Sequence, residues 1–470
     1  MKVTSNLIDM SIIENLAAIV GETDVLVGEE VSQRPAFWGS SAPSQAICIA
    51  RPQTTAQVSK ILQLCHARRQ PVVTQGGMTG MVRGAVSTRD EVVVSLERMS
   101  QVEDICGDDR TVVVQAGAPL QVVQEAAAAQ GFIFPLDFGA RGSANIGGVI
   151  STNAGGNRVI RYGMTRNLVL GLEAVLADGT VLSSLNRMLK NNAGYDLKQL
   201  FIGTEGTLGI VTRAVLRIFL RPGSENLALV AVQEFDQLPA LLNRMDRELA
   251  GTLSAFEVMW KNFYDLVTRE GGHHAPLAPG HPFYVLIEAL GSDSEADSDR
   301  FETTLHSAQA EGLLADGVIA MSGKQREEIW AIRDGLGFIR LGPVFVFDVS
   351  LRISDMKDYV DQVVKSTKSA WPNARIIPFG HLGDGNLHFT IEVGSDAPET
   401  QARVEEMVYS PLARIGGSVS SEHGIGMEKR AHLGLSRSRD EIRTMRLLKQ
   451  ALDPKGILNP GRVFPLEEPG

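Results

Sequence analysis

His381 and His388, the two ends of the stretch HLGDGNLH, are the residues of this chain best placed to do chemistry. Gly383, Asp384, Gly385 and Asn386 lie between them and read as a turn. The flanks ARIIPF and FTIEV are rich in β-formers, so a hairpin is predicted. Beyond the turn, His388, Thr390 and Glu392 alternate with Leu387, Phe389, Ile391 and Val393, giving a polar and an apolar face. Two neutral imidazoles brought together across a tight turn suit a borderline-soft divalent ion such as zinc. Two nitrogens do not complete a site. Glu422 in GGSVSSEHGIG, with glycines on both sides that let backbone approach closely, is the best third ligand. His423 beside it then becomes the obvious base. The plainer alternative is a pair of structural or solvent-facing histidines; against it, three of the nine histidines fall in these two glycine-rich segments.

A second kind of chemistry is written in glycine. PVVTQGGMTG reads as a buried strand entering a loop at Gly76, Gly77 and Gly80. The run PLDFGARGSANIGGVISTNAGGNRVIRYG, Pro135 to Gly163, mixes its glycines with Ser143, Ser151, Thr152, Asn153 and Asn157. FIGTEGTLGIVTRAVLRI repeats the style, with Gly203, Glu205, Gly206 and Gly209 feeding a strand. Loops of this kind offer many backbone N–H donors, which is how proteins hold a pyrophosphate. No G-x-G-x-x-G joins a strand to a helix and no G-x-x-x-x-G-K-[ST] is present, so a Rossmann site and a P-loop are both poorly supported. Taken alone, the long run could equally be turns linking short strands. All three segments within the first 222 residues favour a large phosphate-bearing cofactor wrapped by backbone.

Several elements must position these groups. Residues 1–34 read as helical, with Leu7, Ile12, Ile13, Leu16, Ile19 and Val20 on one face. A strand at Ala46 to Ile49 precedes a helix from Thr55 to Arg69, capped by Thr54. Strands at Glu91 to Leu96 and Thr111 to Gln115 and an alanine-rich helix at Pro119 to Gln130 follow, an α+β pattern. After Pro222-Gly223 the texture changes: strands LALVAVQEF, SAFEVM and FYVLIEAL alternate with charged helices. GSDSEADSDRFE reads as a solvated helix start, and His273, His274 and His281 as surface groups in a Pro/Gly loop. SGKQREEIWAIRDGLG reads as a helix presenting Trp330 and Arg333. An arginine at a cleft clamps a carboxylate, although on a helix it is more often solvated.

At 470 residues the chain exceeds the size of one core, and its composition is that of an ordinary globular protein. A net charge of −10 argues against nucleic acid or an anionic membrane surface as main partner. Cys48, Cys65 and Cys106 lack metal-type spacing, which implies a reducing compartment without disulfides. No apolar run could span a bilayer and MKVTSNLIDM lacks a signal-peptide core, so a soluble intracellular protein is expected.

The series PVVTQGGMTG, GSANIGGVISTNAGGNRVIRYG, NNAGYDLKQLFIGTEGTLGIVT, FGHLGDGNLHF, SSEHGIGMEKR and LDPKGILNPGRVF, from about Ala46 to Phe464, resembles the FAD-linked D-2-hydroxyacid dehydrogenases. That group includes D-lactate and D-2-hydroxyglutarate dehydrogenases and the glycolate oxidase flavin subunit, flavoproteins of the vanillyl-alcohol-oxidase type. The resemblance implies an α+β fold: a two-subdomain FAD-binding domain at 1–222, a substrate (cap) domain with an antiparallel sheet at 223–410, and a segment at 411–470 returning to the FAD domain and active site. It implies that Gln75, Gly76, Gly77, Met78, Thr79 and Gly80, with Pro135, Asp137, Gly139, Ser143, Gly147, Gly148, Ser151, Asn153, Ala154, Gly155, Gly156, Tyr162 and Gly163, hold FAD. Glu205, Gly206, Gly209 and Ile210 would lie along it, and Asn459 would return to the isoalloxazine. His381, His388 and Glu422 match the family's ligands for zinc or another divalent metal, His423 its base, and Arg333 its substrate-carboxylate clamp. No His or Cys falls in Gln75 to Gly84, so non-covalent FAD is expected.

The implied reaction is oxidation of a D-2-hydroxy acid to the 2-oxo acid by hydride transfer to flavin N5. An external acceptor would follow: an electron-transfer flavoprotein, a quinone or a cytochrome. A cytoplasmic location is expected, or the mitochondrial matrix in a eukaryote; a homodimer stays open. Two departures bear on the substrate-binding positions. Val346 stands where the D-2-hydroxyglutarate enzymes commonly have lysine, and Thr390 where they commonly have asparagine, which favours a shorter or more apolar side chain unless Arg352 or Lys324 supplies the charge. The alternatives are a flavin subunit active only within a glycolate-oxidase-like complex, and a flavin-free zinc hydrolase.

Overall fold

The computed structural model describes residues 2–37, 40–335 and 341–465. The chain forms two units: Met1–Ala154, Met164–Arg221 and Glu422–Gly470 make the first, Gly155–Gly163 and Pro222–Ser421 the second.

In the first unit, Cys48–Ala50, Val92–Ser95 and Val72–Gln75 pair in parallel, and Val25–Leu26 adds antiparallel to Cys48–Ala50. These strands are almost wholly buried, the continuous apolar reading expected of a parallel sheet. Thr54 caps the helix Thr55–Arg68 by accepting from the Gln57 amide at 3.2 Å, and Val58, Ile61, Leu62 and Cys65 form its buried stripe. A second, antiparallel sheet orders Val102–Cys106, Thr111–Gln115, Ile210–Arg217, Val169–Val175 and Val181–Ser184. The C-terminal segment returns to the parallel sheet: Val72 N donates to Ile457 O at 2.7 Å and Asn459 N to Val72 O at 2.8 Å. Asp453 accepts from the amides of Ile457 and Leu458, and Arg462 closes a buried ion pair with Glu91 at 2.6 Å.

Two expectations are corrected in this unit. The helix predicted over residues 1–34 ends at Val20, because Gly21 takes φ 97°; Glu22–Asp24, Val25–Leu26 and Glu29–Ser32 then form a 3-10 turn, a strand and a short helix. Between Ile146 and Thr152 the glycine run is helical, with Ile146, Val149 and Ile150 buried at helical spacing, where turns between strands were the plainer reading.

The second unit is built on a seven-stranded antiparallel sheet ordered Asp316–Ile319, Ser224–Val232, Phe283–Gly291, Leu253–Trp260, Arg375–His381, Asn386–Glu392, Val344–Ser350. Leu227, Leu229, Met259, Tyr284, Leu286 and Ile377 form one core with Phe263 and Tyr264 and with Ile329 and Ile332 of the helix Gly323–Arg333. Burying each of those two isoleucines contributes about 1.5–3 kcal/mol and fixes the helix rotation. Asp297, expected on a solvated helix start, is instead buried and accepts from Ser224 Oγ at 2.6 Å and from Asp293 N at 2.9 Å.

Arg158 fastens the short segment Gly155–Gly163 into this unit through a paired contact with Glu288, Nε to Oε1 at 2.8 Å and Nη2 to Oε2 at 3.0 Å. Burial pushes the Glu288 carboxyl up, yet the Arg158 charge and the hydrogen bonds outweigh it and hold the group below its ordinary 4.5. A depressed carboxyl stabilises the fold above its unfolded pKa and loses that contribution as pH falls. Arg158→Ala should therefore lower stability by about 3–5 kcal/mol near neutrality. Unfolding followed against pH should show the deficit shrinking below about 4.5.

Candidate active site

The hairpin forms where its local chemistry puts it: Arg375–His381 and Asn386–Glu392 pair antiparallel around a 3-10 turn, Leu382–Asp384. Gly385 closes it at φ 80°, a conformation that costs a side-chain-bearing residue strain. Two of the three polar-face residues of the second strand are sealed, His388 being 8 % exposed and Thr390 0 %, while Glu392 is half-buried. The solvent-facing reading of these histidines is therefore set aside. His381 and His388 come together with ring centroids 5.5 Å apart, and Phe379 packs on His388 at 5.0 Å.

Glu257 organises the pair. It lies opposite His381 on the neighbouring strand, is 1 % exposed, and its Oε1 stands 2.7 Å from His381 Nδ1. Its other oxygen accepts from Arg333 Nε at 2.7 Å. Burial pushes this carboxyl up, but the Arg333 charge and the hydrogen bonds from His381 and Arg333 hold it below its ordinary value. Arg333 is not solvated: it is buried, its Nη2 lies 3.3 Å from His381 Nε2, and its guanidinium stacks over Phe379 at 5.1 Å. With the Nδ1 proton directed to Glu257, His381 carries its lone pair on Nε2, the atom a metal would take. The donor set thus suits a borderline divalent ion.

On the outer strand Asp348 sits opposite His388, wholly buried. Its Oδ2 accepts from the Ser421 amide at 3.1 Å, while Ser350 and Ser418 exchange both backbone hydrogen bonds. Residues 418–421 are thereby laid along the sheet edge beside Asp348 and Ser350, and the next residues in the chain are Glu422 and His423, with which the returning part of the first unit begins. Burial raises Asp384, in the turn, to about 6.

Thr390 and Val346 face each other across adjacent strands, with Ile377 on Thr390's other side. Thr390 Oγ1 and both side-chain polar atoms of Asn386 are buried and without a hydrogen-bond partner. Of the two cations considered for this region, Arg352 is 72 % exposed and paired with Asp355, and Lys324 is 85 % exposed beside Glu328. Sequence reasoning missed Glu257 and Asp348. The signal was there: each is a lone carboxylate in an otherwise apolar strand, SAFEVMW and FVFDVS.

In the first unit the glycine loops close on one another. Gly77 packs so tightly that a Cβ there would stand 1.7 Å from Ser143 O. Met78, Asn153, Glu205 and Asn459 take φ of 55°, 50°, 53° and 41°, strain gathered at the segments expected to hold a cofactor. Among the described residues no protein acceptor takes the amides of Met78, Thr79 or Gly80, which leaves a run of donors for an anion. Asn459 bridges the parallel sheet and the third loop, accepting from Thr74 N at 2.9 Å and donating to Glu205 O at 2.5 Å. The Glu205 carboxylate, raised by burial, accepts from Ile425 N at 2.7 Å and Gly426 N at 2.8 Å. Gln75 donates to Ala85 O, and Asp137 pairs with Arg141 at 2.7 Å. Gly155, Gly156, Tyr162 and Gly163 belong to the second unit, whereas Ala154 and Ser151 remain in the first.

A strained, glycine-lined loop cluster on a mixed sheet in one unit, and a buried imidazole–carboxylate–guanidinium group on an antiparallel sheet in the other, belong to the two domains of an FAD-linked oxidase. The fold agrees: p-cresol methylhydroxylase with substrate bound superposes with a TM-score of 0.77 at 15 % identity, over 98 % of both chains. Residues 46–184 match the FAD binding domain and residues 221–463 the C-terminal domain of FAD linked oxidases. A probable mitochondrial D-2-hydroxyglutarate dehydrogenase of Oryza sativa subsp. indica is 39 % identical over 454 residues, 95 % of this chain and 80 % of the relative. The D-2-hydroxyglutarate dehydrogenase of Xanthomonas citri pv. viticola is 39 % identical over 434 residues, 91 % of each chain. The chain belongs to the FAD-linked D-2-hydroxyacid dehydrogenase family, and the FAD-binding match sets aside a flavin-free hydrolase.

Gly77→Ala should fold yet purify with much less flavin, since its new methyl must push the two loops apart. The ratio of flavin to protein absorbance in the purified variant measures this.

Proposed function

We propose that this chain oxidises a D-2-hydroxy acid to the 2-oxo acid, using non-covalent FAD in its first unit and a divalent ion, zinc foremost, at His381 and His388. The observation that carries the reading is the buried group of Glu257, His381 and Arg333: an oriented metal-ligand imidazole and a guanidinium held side by side. Glu422 is the third ligand. Support for it comes from the chain path, because Ser421, its neighbour, is pinned to Asp348 directly opposite His388. When bound, FAD takes up the two electrons and the ion polarises the substrate hydroxyl.

The protein's own groups do the rest. Arg333 takes the substrate carboxylate in its guanidinium fork, a geometry a lysine could not match. His423 removes the hydroxyl proton, a general-base step typically contributing roughly 10²–10⁴-fold. Val346, Thr390 and Ile377 offer a neutral wall with one hydroxyl to the substrate side chain, which fits a short monocarboxylic acid better than a second carboxylate. Electrons leave to a separate acceptor, an electron-transfer flavoprotein, a quinone or a cytochrome. The location proposed is cytoplasmic, or mitochondrial in a eukaryotic cell, where the rice relative's name places that protein.

Dye-coupled turnover with D-lactate, D-malate, D-2-hydroxyglutarate and glycolate should favour the short monocarboxylates; a clear preference for D-2-hydroxyglutarate would assign the second carboxylate a partner other than position 346. No turnover by the isolated chain with any of the four would favour a subunit of a larger complex. His423→Ala should retain the flavin spectrum while reduction of bound FAD by substrate slows by about 10²–10⁴-fold. Near-normal reduction would remove His423 from the role. Chelation should abolish turnover and added zinc restore it.

A further inference from the structure

We propose that Glu257 is a positioning residue through which metal affinity and substrate affinity are coupled; the inference rests on the metal-dependent reading above. One carboxylate serves two different tasks. Its Oε1, 2.7 Å from His381 Nδ1, fixes the imidazole tautomer and ring angle. Its Oε2, 2.7 Å from Arg333 Nε, fixes the guanidinium plane. Both contacts lie on a strand backbone whose register sets Glu257 opposite His381, so neither partner can shift without moving the shared group. Exposure of 1 % for Glu257 and 7 % for Arg333 keeps water from replacing either contact.

The geometry carries a second point. Arg333 Nη2 lies 3.3 Å from His381 Nε2, so the guanidinium donates towards the lone pair that an ion would use. With an ion held at Nε2 that lone pair would be engaged, and Arg333, still held at Nε by Glu257, would have its Nη2 released for a substrate carboxylate. The metal-loaded protein then presents a better substrate clamp than the metal-free one, with Glu257 as the fixed pivot.

Zinc titration against a chromophoric chelator, on metal-stripped flavoprotein, tests this with a readout independent of turnover. Carboxylate partners of ligating histidines typically account for 10–100-fold in metal affinity, so Glu257→Gln should bind zinc about 10–100-fold more weakly while keeping its flavin. At zinc concentrations that saturate the variant, KM for the hydroxy acid should still be raised, with kcat changed less, because the guanidinium is no longer aligned. Wild-type zinc affinity in Glu257→Gln, or weakened zinc with an unchanged KM, overturns the coupling. His381→Ala serves as the control: if it binds zinc as well as the wild type, the metal reading itself falls and takes the coupling with it. Should Glu257→Gln fail to fold, Glu257→Asp keeps the charge but is too short to span both partners. The same loss of zinc affinity and rise in KM is expected there, and normal values for both overturn the proposal.

Discussion

A carboxylate stripped of water and balanced by two donors is the constraint that shapes the second unit. Taking an ion out of water costs several kcal/mol even after relaxation, and one neutral partner rarely compensates. Glu257 has His381 on one oxygen and Arg333 on the other, each at 2.7 Å. That arrangement dictates its surroundings. The strand register must bring Glu257 opposite His381, and the helix Gly323–Arg333 must present Arg333 inward with Ile329 and Ile332 packed beside it. The same sheet face is apolar at Met259, Tyr284, Leu286 and Ile377. A low-dielectric wall next to fixed charges strengthens every interaction among them, which is the setting electrostatic catalysis needs.

How far the sequence revealed this depends on distance along the chain. The hairpin was legible because its information is local: a glycine turn, alternating residues, and two histidines at its rims. So were the capped helix at Thr54 and the strand Thr111–Gln115. The resemblance marks Arg333 as a carboxylate clamp, but its burial was not legible, since its partner Glu257 lies 76 residues earlier, a single carboxylate in an otherwise apolar strand. Asp348 escaped notice for the same reason. Pairing across a sheet decides what such a carboxylate does, and a linear pattern does not record the pairing. The first helix is shorter than expected: its apolar face stops at Val20, and Gly21, at φ 97°, turns the backbone there.

The glycine loops taught a complementary lesson. Their abundance pointed to close backbone packing, and Gly77 against Ser143 realises it. The left-handed conformations of Met78 and Glu205 left no such mark, because those residue types do not advertise a positive φ; Asn153 and Asn459 are of a type that adopts it more readily. Two of them are held in place by hydrogen bonds: Asn459 by Thr74 and Glu205, and Glu205 by Ser151, whose carbonyl accepts its amide at 2.8 Å. The loops that would meet the flavin therefore carry strain that neighbouring hydrogen bonds offset.

The bond from Thr74 to Asn459 joins residues 385 positions apart. During synthesis, the strand Val72–Gln75 must wait for residues 457–459 to leave the ribosome before its backbone is matched at Val72 and Thr74. Nor is the second unit contiguous, since Arg158 is made well before Glu288 arrives to receive it. A stop between Ser421 and Asn459 would therefore release a nascent chain whose second unit is complete in sequence while its first sheet still lacks the partner of Val72 and Thr74.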